Sequence, residues 1–246
     1  MTDLTGKHAL VTGASRGIGA AIALALADKG ADVAITYQNS GEQAAALVLA
    51  IESRGRRGFA IRADSADAAA VKRSVDEAAA ALGGLDILVN NAGIARGGPL
   101  AEMSLADIDA VLDVNVRGVV LASQAAIPHL ADGGRIVSIG SCLAERVAFP
   151  GLTVYSMSKS ALLALTRGLA RELGPRGITV NLVHPGPTDT DMNPAQSERA
   201  DAQRGLTALG RYGTPEDVAA AVVFLAGPAA RQITGTGITV DGGTNA

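Results

Sequence analysis

Short, nearly continuous apolar runs alternate along the chain with longer stretches in which alanine and other apolar residues recur at helical spacing. The runs lie at 9–12, 32–36, 58–62, 85–90, 135–139, 179–183 and 238–240. Val, Ile and Leu occupy successive rather than alternate positions in them, which is the pattern of strands covered on both faces. The stretches near 17–29, 41–54, 67–82, 104–127, 153–173 and 215–227 predict helices. Strand–helix–strand units with crossovers of this length predict an α/β fold. The expected form is a single doubly wound Rossmann domain over 1–246, with about seven parallel strands and helices on both faces. One segment, roughly 186–212, has no clear periodicity and is rich in Pro, Asp, Asn and Gln. A loop of that length inside a compact domain predicts a lid over a pocket.

Composition narrows the partners. Apolar residues make up 48% of the chain, aromatics 2%, and there is no Trp, so the core must be built from Ala, Val, Leu and Ile. The net charge of -3 argues against nucleic acid or an anionic membrane as a partner. The single cysteine, Cys142, permits no internal disulfide and suits a reducing compartment. The stretch Met1–Lys7 has no apolar leader pattern, and no run approaches the ~20 apolar residues of a membrane helix. A soluble, cytoplasmic protein is expected.

Two motifs carry chemistry. Thr12-Gly13-Ala14-Ser15-Arg16-Gly17-Ile18-Gly19 joins the first strand to the first helix. Glycine lets a pyrophosphate approach the backbone, and the helix N-terminus offers free N–H groups and a positive dipole. The alternative is a tight turn with no ligand. After the second strand comes Tyr37-Gln38-Asn39-Ser40, with no carboxylate until Glu42. An acid there would hold the 2′-hydroxyl of NAD. Its absence, with Arg16 placed to meet a 2′-phosphate, favours NADP(H), with NAD(H) still possible.

Tyr155 and Lys159 are spaced i, i+4 and share a helix face, with Ser141 fourteen positions before the tyrosine. An ammonium near a phenol lowers its pKa, and the tyrosine can then exchange a proton with a carbonyl or alcohol oxygen. The serine hydroxyl can hold the same oxygen. Alone, such a Tyr/Lys pair is more often surface decoration. Asn115 lies in an apolar helical stretch and must find partners, either structural or functional. His8, His129 and His184 are scattered and unaccompanied, so no metal site is expected. Cys142 reads as a small buried residue, since no base accompanies it.

With these residues assembled, the chain resembles the short-chain dehydrogenase/reductase family, and its 3-oxoacyl-(acyl-carrier-protein) reductase-like group in particular. The likeness spans essentially the whole chain. It adds Asn90-Asn91-Ala92-Gly93, Pro185-Gly186 with Thr190, and Val240-Asp241-Gly242-Gly243. The resemblance implies a catalytic tetrad. Tyr155 would be the acid/base, Lys159 would lower its pKa and bind the nicotinamide ribose, Ser141 would hold the substrate oxygen, and Asn115 would organise a relay water. It further implies cofactor contacts from Gly13, Ser15, Arg16, Gly17, Ile18 and Gly19, and from Tyr37, Asn39 and Ser40. Asp64, with Ser65, would meet the adenine, and Asn91, Ala92 and Gly93 the adenosine side. Pro185, Gly186, Thr188 through its backbone, and Thr190 would hold the carboxamide.

The expected pocket is Leu143, Phe149, Leu152, Pro187 and Met192, with Ile94 at its edge, suiting a compact apolar ketone or secondary alcohol. A homotetramer through the helices near 104–127 and 153–173 is implied. Two other functions stay open. One is an NAD-dependent alcohol or sugar dehydrogenase with the same tetrad. The other is a nucleotide-binding regulator of the cyclic-dinucleotide type, which Asp64–Asp67 and Pro185-Gly186-Pro187 would suit.

Overall fold

The computed structural model describes residues 2–246. All seven apolar runs form strands: β1 His8–Val11, β2 Asp32–Tyr37, β3 Gly58–Arg62, β4 Leu85–Asn90, β5 Leu130–Ile139, β6 Thr179–Pro185 and β7 Gly237–Val240. They make one sheet, ordered β3-β2-β1-β4-β5-β6-β7, and every pairing is parallel. Successive residues of a strand serve opposite faces, and both faces are buried. Ala9, Val11, Val33, Ile35, Ile87 and Val89 pack on one side, while Leu10, Ala34 and Leu88 pack on the other. That is why the runs are continuous rather than alternating.

Helices α1 (Gly17–Asp28), α2 (Gly41–Glu52) and α8 (Pro215–Ala226) cover the first face through Ile22, Leu26, Leu47, Val218 and Val222. The second face takes α3 (Ala68–Leu82) and, through Ala122 and Leu173, α5 (Gly118–Ala126) and α6 (Thr153–Leu173). Entry to α3 is defined by Asp67, whose carboxylate accepts from Ala69 and Ala70 N–H, and its exit by Gly83 at φ 89°. No helix among the described residues is long and apolar enough to cross a membrane.

Three sequence expectations need correction. The helix over 104–127 is broken into α4 (Leu105–Leu112), a π turn over Asp113–Arg117, and α5. Apolar periodicity cannot register one extra residue per turn. Gly118 marks the break: its N–H reaches back to Asp113, and a Cβ there would stand 2.5 Å from Ser65 O. Next, β5 begins at Leu130, not at 135, because its first residues pair irregularly with β4 beside Leu85. Finally, 186–212 is not structureless. It contains α7 (Ala200–Leu206) and its own small core of Ala195, Ala200 and Tyr212. Its ends are tied together where Asp189 N–H donates to Gly213 O (3.0 Å) and Gly213 N–H to Pro187 O (2.9 Å).

Candidate active site

The strand order reverses direction between β1 and β4, and the chemistry-bearing residues lie beyond the carboxyl ends of the strands there, where open α/β sheets bind ligands. The glycine turn is anchored by Gly13 N–H to Thr36 Oγ1 (3.0 Å) and Ala14 N–H to Thr36 O (2.9 Å). Gly13 and Gly17 have φ of 61° and 56°, which L side chains rarely adopt. Gly19 is needed for space: a Cβ there would stand 2.5 Å from Asn91 Nδ2 and 2.7 Å from Ala14 Cα. No side chain caps α1 and no acid occupies its first turn, so its leading N–H groups are open to an anion. Ser15 is half-buried in this turn, and Ile18 packs against the core.

Asn91 has a structural part as well: its amide donates to Thr12 O (2.9 Å) and Gly13 O (3.0 Å), so the side chain braces the turn. At the adenosine end, Tyr37 and Ser40 are half-buried while Gln38 and Asn39 are exposed. Arg16 is 65% exposed, and its nearest acid is Asp191, in the segment after β6, at 3.6 Å. One oxygen of Asp64 accepts from Ala66 N–H (2.9 Å). Ser65 and Ala92 line a small cavity with Thr12, Thr36 and Asn90.

The catalytic candidates converge. Ser141 follows β5, is buried, and its Oγ accepts from Leu143 N–H (3.1 Å). Lys159 is buried on α6 and donates from Nζ to Ile139 O (2.9 Å), with Nζ 6.0 Å from the centre of the Tyr155 ring. Burial pulls the Lys159 ammonium down to about 8. Tyr155 corrects the sequence expectation. Burial around its hydroxyl pushes the phenol above its ordinary value; the Ser141 hydroxyl pulls it down and Cys142 pushes it up. In this state Lys159 spends a proton on Ile139 O, and desolvation outweighs it at the phenol. The Cys142 thiol is itself pushed up to about 11 by burial, which makes it inert.

Asn115 sits on the π turn, fully buried. Its Oδ1 accepts from Ile94 N–H (2.9 Å), and its Nδ2 donates to Ile94 O (2.9 Å) and Ser158 Oγ (3.0 Å). Both amide hydrogens are therefore spent, while Oδ1 keeps one lone pair. A π turn leaves backbone carbonyls without their usual helical donors, which offers a backbone acceptor for a relay. Gly93 lies close to the catalytic candidates: a Cβ on it would stand 3.3 Å from Lys159 Nζ and 3.4 Å from Asn115 Oδ1.

The segment over 186–212 continues from β6. Pro185 is buried, and a Cβ on Gly186 would stand 2.5 Å from Asp241 Cα. Thr188 is buried with its hydroxyl donating to Gly186 O (3.0 Å). Thr190 lies opposite Gly17, 3.6 Å from where that residue's Cβ would be. The segment after β6 therefore starts over the glycine turn. Of the expected pocket residues, Leu143, Phe149, Leu152, Pro187 and Ile94 are half-buried, but Met192 is 62% exposed. A polar cleft of about 340 Å³ nearby, lined by Arg96, Gly97, Gly98, Pro99, Glu102, Met103 and Asp107, was not foreseen.

A model of the family described as enoyl-(acyl carrier protein) reductase matches residues 13–245. The chain belongs to the short-chain dehydrogenase/reductase family. This dehydrogenase/reductase is thus an oxidoreductase. A short-chain dehydrogenase from Burkholderia cenocepacia, solved in complex with NADP, is 64% identical, with 99% of each chain covered and a TM-score of 0.98. The cyclic-di-GMP-binding biofilm dispersal mediator protein of Escherichia coli is 45% identical, with 98% of each chain covered. The 3-oxoacyl-(acyl-carrier-protein) reductase of Staphylococcus aureus is 44% identical, over 96% of this chain and 97% of that one.

The dehydrogenase/reductase has the features a dinucleotide needs: an uncapped helix N-terminus behind a turn that only glycine can form. Of three further residues near the site, Asp191 and Asn245 carried no readable signal. Asp191 faces Arg16 only because the segment after β6 passes over the turn. His184 and Asn245 each bond to the chain around Ser141. A histidine in a core strand, with glycines at 140 and 237, was the one clue.

Proposed function

We propose that this enzyme reduces ketones to secondary alcohols with NADPH, and runs in reverse with NADP. One observation carries this reading: Ser141 from the end of β5 and Tyr155 and Lys159 from α6 meet in one cluster, and the same chain offers the open N-terminus of α1. When bound, the nicotinamide supplies the hydride to the carbonyl carbon. The Ser141 hydroxyl donates a hydrogen bond to the carbonyl oxygen and fixes it against Tyr155. The Tyr155 hydroxyl gives that oxygen its proton. The phenolate left behind is stabilised by the Lys159 charge and regains a proton from solvent, with the π-turn backbone at Asn115 as the relay route. Substrate is screened from water by the lid over 186–212.

The NADP(H) preference is supported by the missing acid after β2, by Arg16 at the edge of the turn, and by the NADP in the Burkholderia relative. The half-buried Leu143, Phe149 and Leu152 support a compact, largely apolar substrate. Exposed Leu105, Val120 and Met157 on α4, α5 and α6 support a homotetramer built through those helices. The chain reads as one domain, and its buried free thiol suits the cytoplasm. A regulatory cyclic-dinucleotide role has less support. Asp67, which suggested it, is spent capping α3, and Asp64 partly on Ala66.

The test is a panel of acetoacetate esters, diketones, cyclic ketones and their alcohols, assayed with both cofactors in both directions. Turnover faster with NADPH than with NADH is expected. Tight NADPH binding with no turnover of any panel member would defeat the enzymatic reading.

A further inference from the structure

Ser141 is held in an unusual way. Its carbonyl and that of Cys142 each accept a hydrogen bond from a side chain distant in sequence. His184 Nδ1 lies 2.9 Å from Ser141 O, and Asn245 Nδ2 lies 2.8 Å from Cys142 O. Nδ1 also stands 3.3 Å from Ser141 N, so the imidazole meets both backbone groups of Ser141, and the shorter contact, to the carbonyl, is the one made when the proton is on Nδ1. We infer that His184 and Asn245 are positioning residues that aim the Ser141 hydroxyl at Tyr155. This rests on the assignment of Ser141 and Tyr155 to the reaction.

The site is built around the imidazole at a cost that packing alone does not explain. His184 is 3% exposed on β6. A Cβ on Gly140 would stand 2.6 Å from its Nδ1, and one on Gly237 would stand 2.5 Å from its Nε2. Both neighbours must therefore be glycine, which weakens a strand. Nε2 is also buried without a hydrogen-bond partner among the described residues, as is Asn245 Oδ1. A valine at 184 would avoid all three penalties. Local rules are broken in this way chiefly where a residue serves the site.

Asn245 is itself secured. Its N–H donates to Asp241 Oδ2 (3.1 Å), and Arg146 reaches across to Thr244 O (2.9 Å). The chain end thus clasps the loop after Ser141 from one side while His184 grips it from the other. A small displacement of that loop moves the hydroxyl that orients the substrate oxygen, and misplacement of about 1 Å can reduce turnover on the order of 10²-fold.

The experiment is a double-mutant cycle with NADPH and the fastest ketone of the panel. His184→Leu, which keeps volume without a donor, should lower kcat roughly 10–100-fold and leave the NADPH KM unchanged. His184→Asn, which keeps a donor near Nδ1, should recover most of it. Asn245→Ala should show a smaller fall. In a Ser141→Ala background, His184→Leu should lower kcat no further, because the two act through one hydroxyl. Independent losses in that background, or an Asn variant as poor as Leu, would overturn the proposal.

A second readout needs no substrate. With 13C-labelled tyrosine, the Tyr155 Cζ resonance, identified by its loss in Tyr155→Phe, should move alike in Ser141→Ala and His184→Leu. An unmoved resonance in folded His184→Leu, or in Asn245→Ala should the first not fold, would also overturn it. If Tyr155→Phe kept full turnover, the catalytic assignment would fail instead, while the resonance would still report whether His184 and Asn245 hold the loop.

Discussion

Replacing Lys159 with Met should make the protein more stable while disabling it. The lysine is buried, and its pKa falls from 10.5 to about 8 through desolvation. The unfolded chain therefore holds a proton more tightly than the folded one. Below about pH 8 the charged group destabilises the fold by a constant amount, and stability rises with pH between about 8 and 10.5. A drop of that size corresponds to about 3 kcal/mol. Against it stands the hydrogen bond from Nζ to Ile139 O, worth about 1 kcal/mol, plus some penalty for leaving that carbonyl bare.

Methionine is unbranched, flexible and apolar, so it can follow the lysine stem without a clash. The net expectation at pH 7 is a gain of about 1–2 kcal/mol, or about 2–8 °C in melting temperature for a chain of this size. Calorimetry on cofactor-free protein is the assay, because bound NADPH would stabilise the two proteins unequally. The gap should shrink at pH 10, where the wild-type lysine is mostly neutral. A Met variant that melts lower at pH 7, with the same difference at pH 10, would refute the view that Lys159 is held at the expense of stability.

Tyr155→Phe should lower kcat on the order of 10²-fold or more with cofactor affinity little changed, read by steady-state kinetics and NADPH fluorescence. Near-normal kcat in a folded variant would remove Tyr155 from the mechanism. Arg16→Ala should raise the NADPH KM roughly tenfold to a hundredfold and spare NADH, while Tyr37→Asp should reverse the preference. A wild-type preference for NADH would sink both expectations. The lid over 186–212 should exchange amide hydrogens quickly without cofactor and slowly with NADPH and a substrate analogue, and as one unit, since Ala195, Ala200 and Tyr212 bind it together. Equal protection in the two states would argue against closure.

Much of this protein was legible in order along the chain. Apolar runs mean strands, covered on both faces in the centre of the sheet though not at the edge strands β3 and β7, and parallel crossovers follow from the helical stretches between them, because these are consequences of local periodicity. The glycine turn and the Tyr155/Lys159 pair were equally readable, since each is a short-range spacing on one element. What the sequence could not disclose depends on contacts between segments far apart. The π turn at Asn115 exists because the amide bonds to Ile94 and Ser158, so periodicity alone predicted a straight helix. Asn91 braces the turn, and Gly93 reaches the catalytic end, only once β1 and β4 lie side by side. The proton affinities of Tyr155 and Lys159 are set by burial from surrounding elements more than by their mutual spacing. The grip of His184 and Asn245 on the Ser141 loop joins positions 43 and 103 residues apart. Local spacing determined which elements form and which side chains share a face; packing between distant elements decided what each polar group bonds to, and so what chemistry it can do.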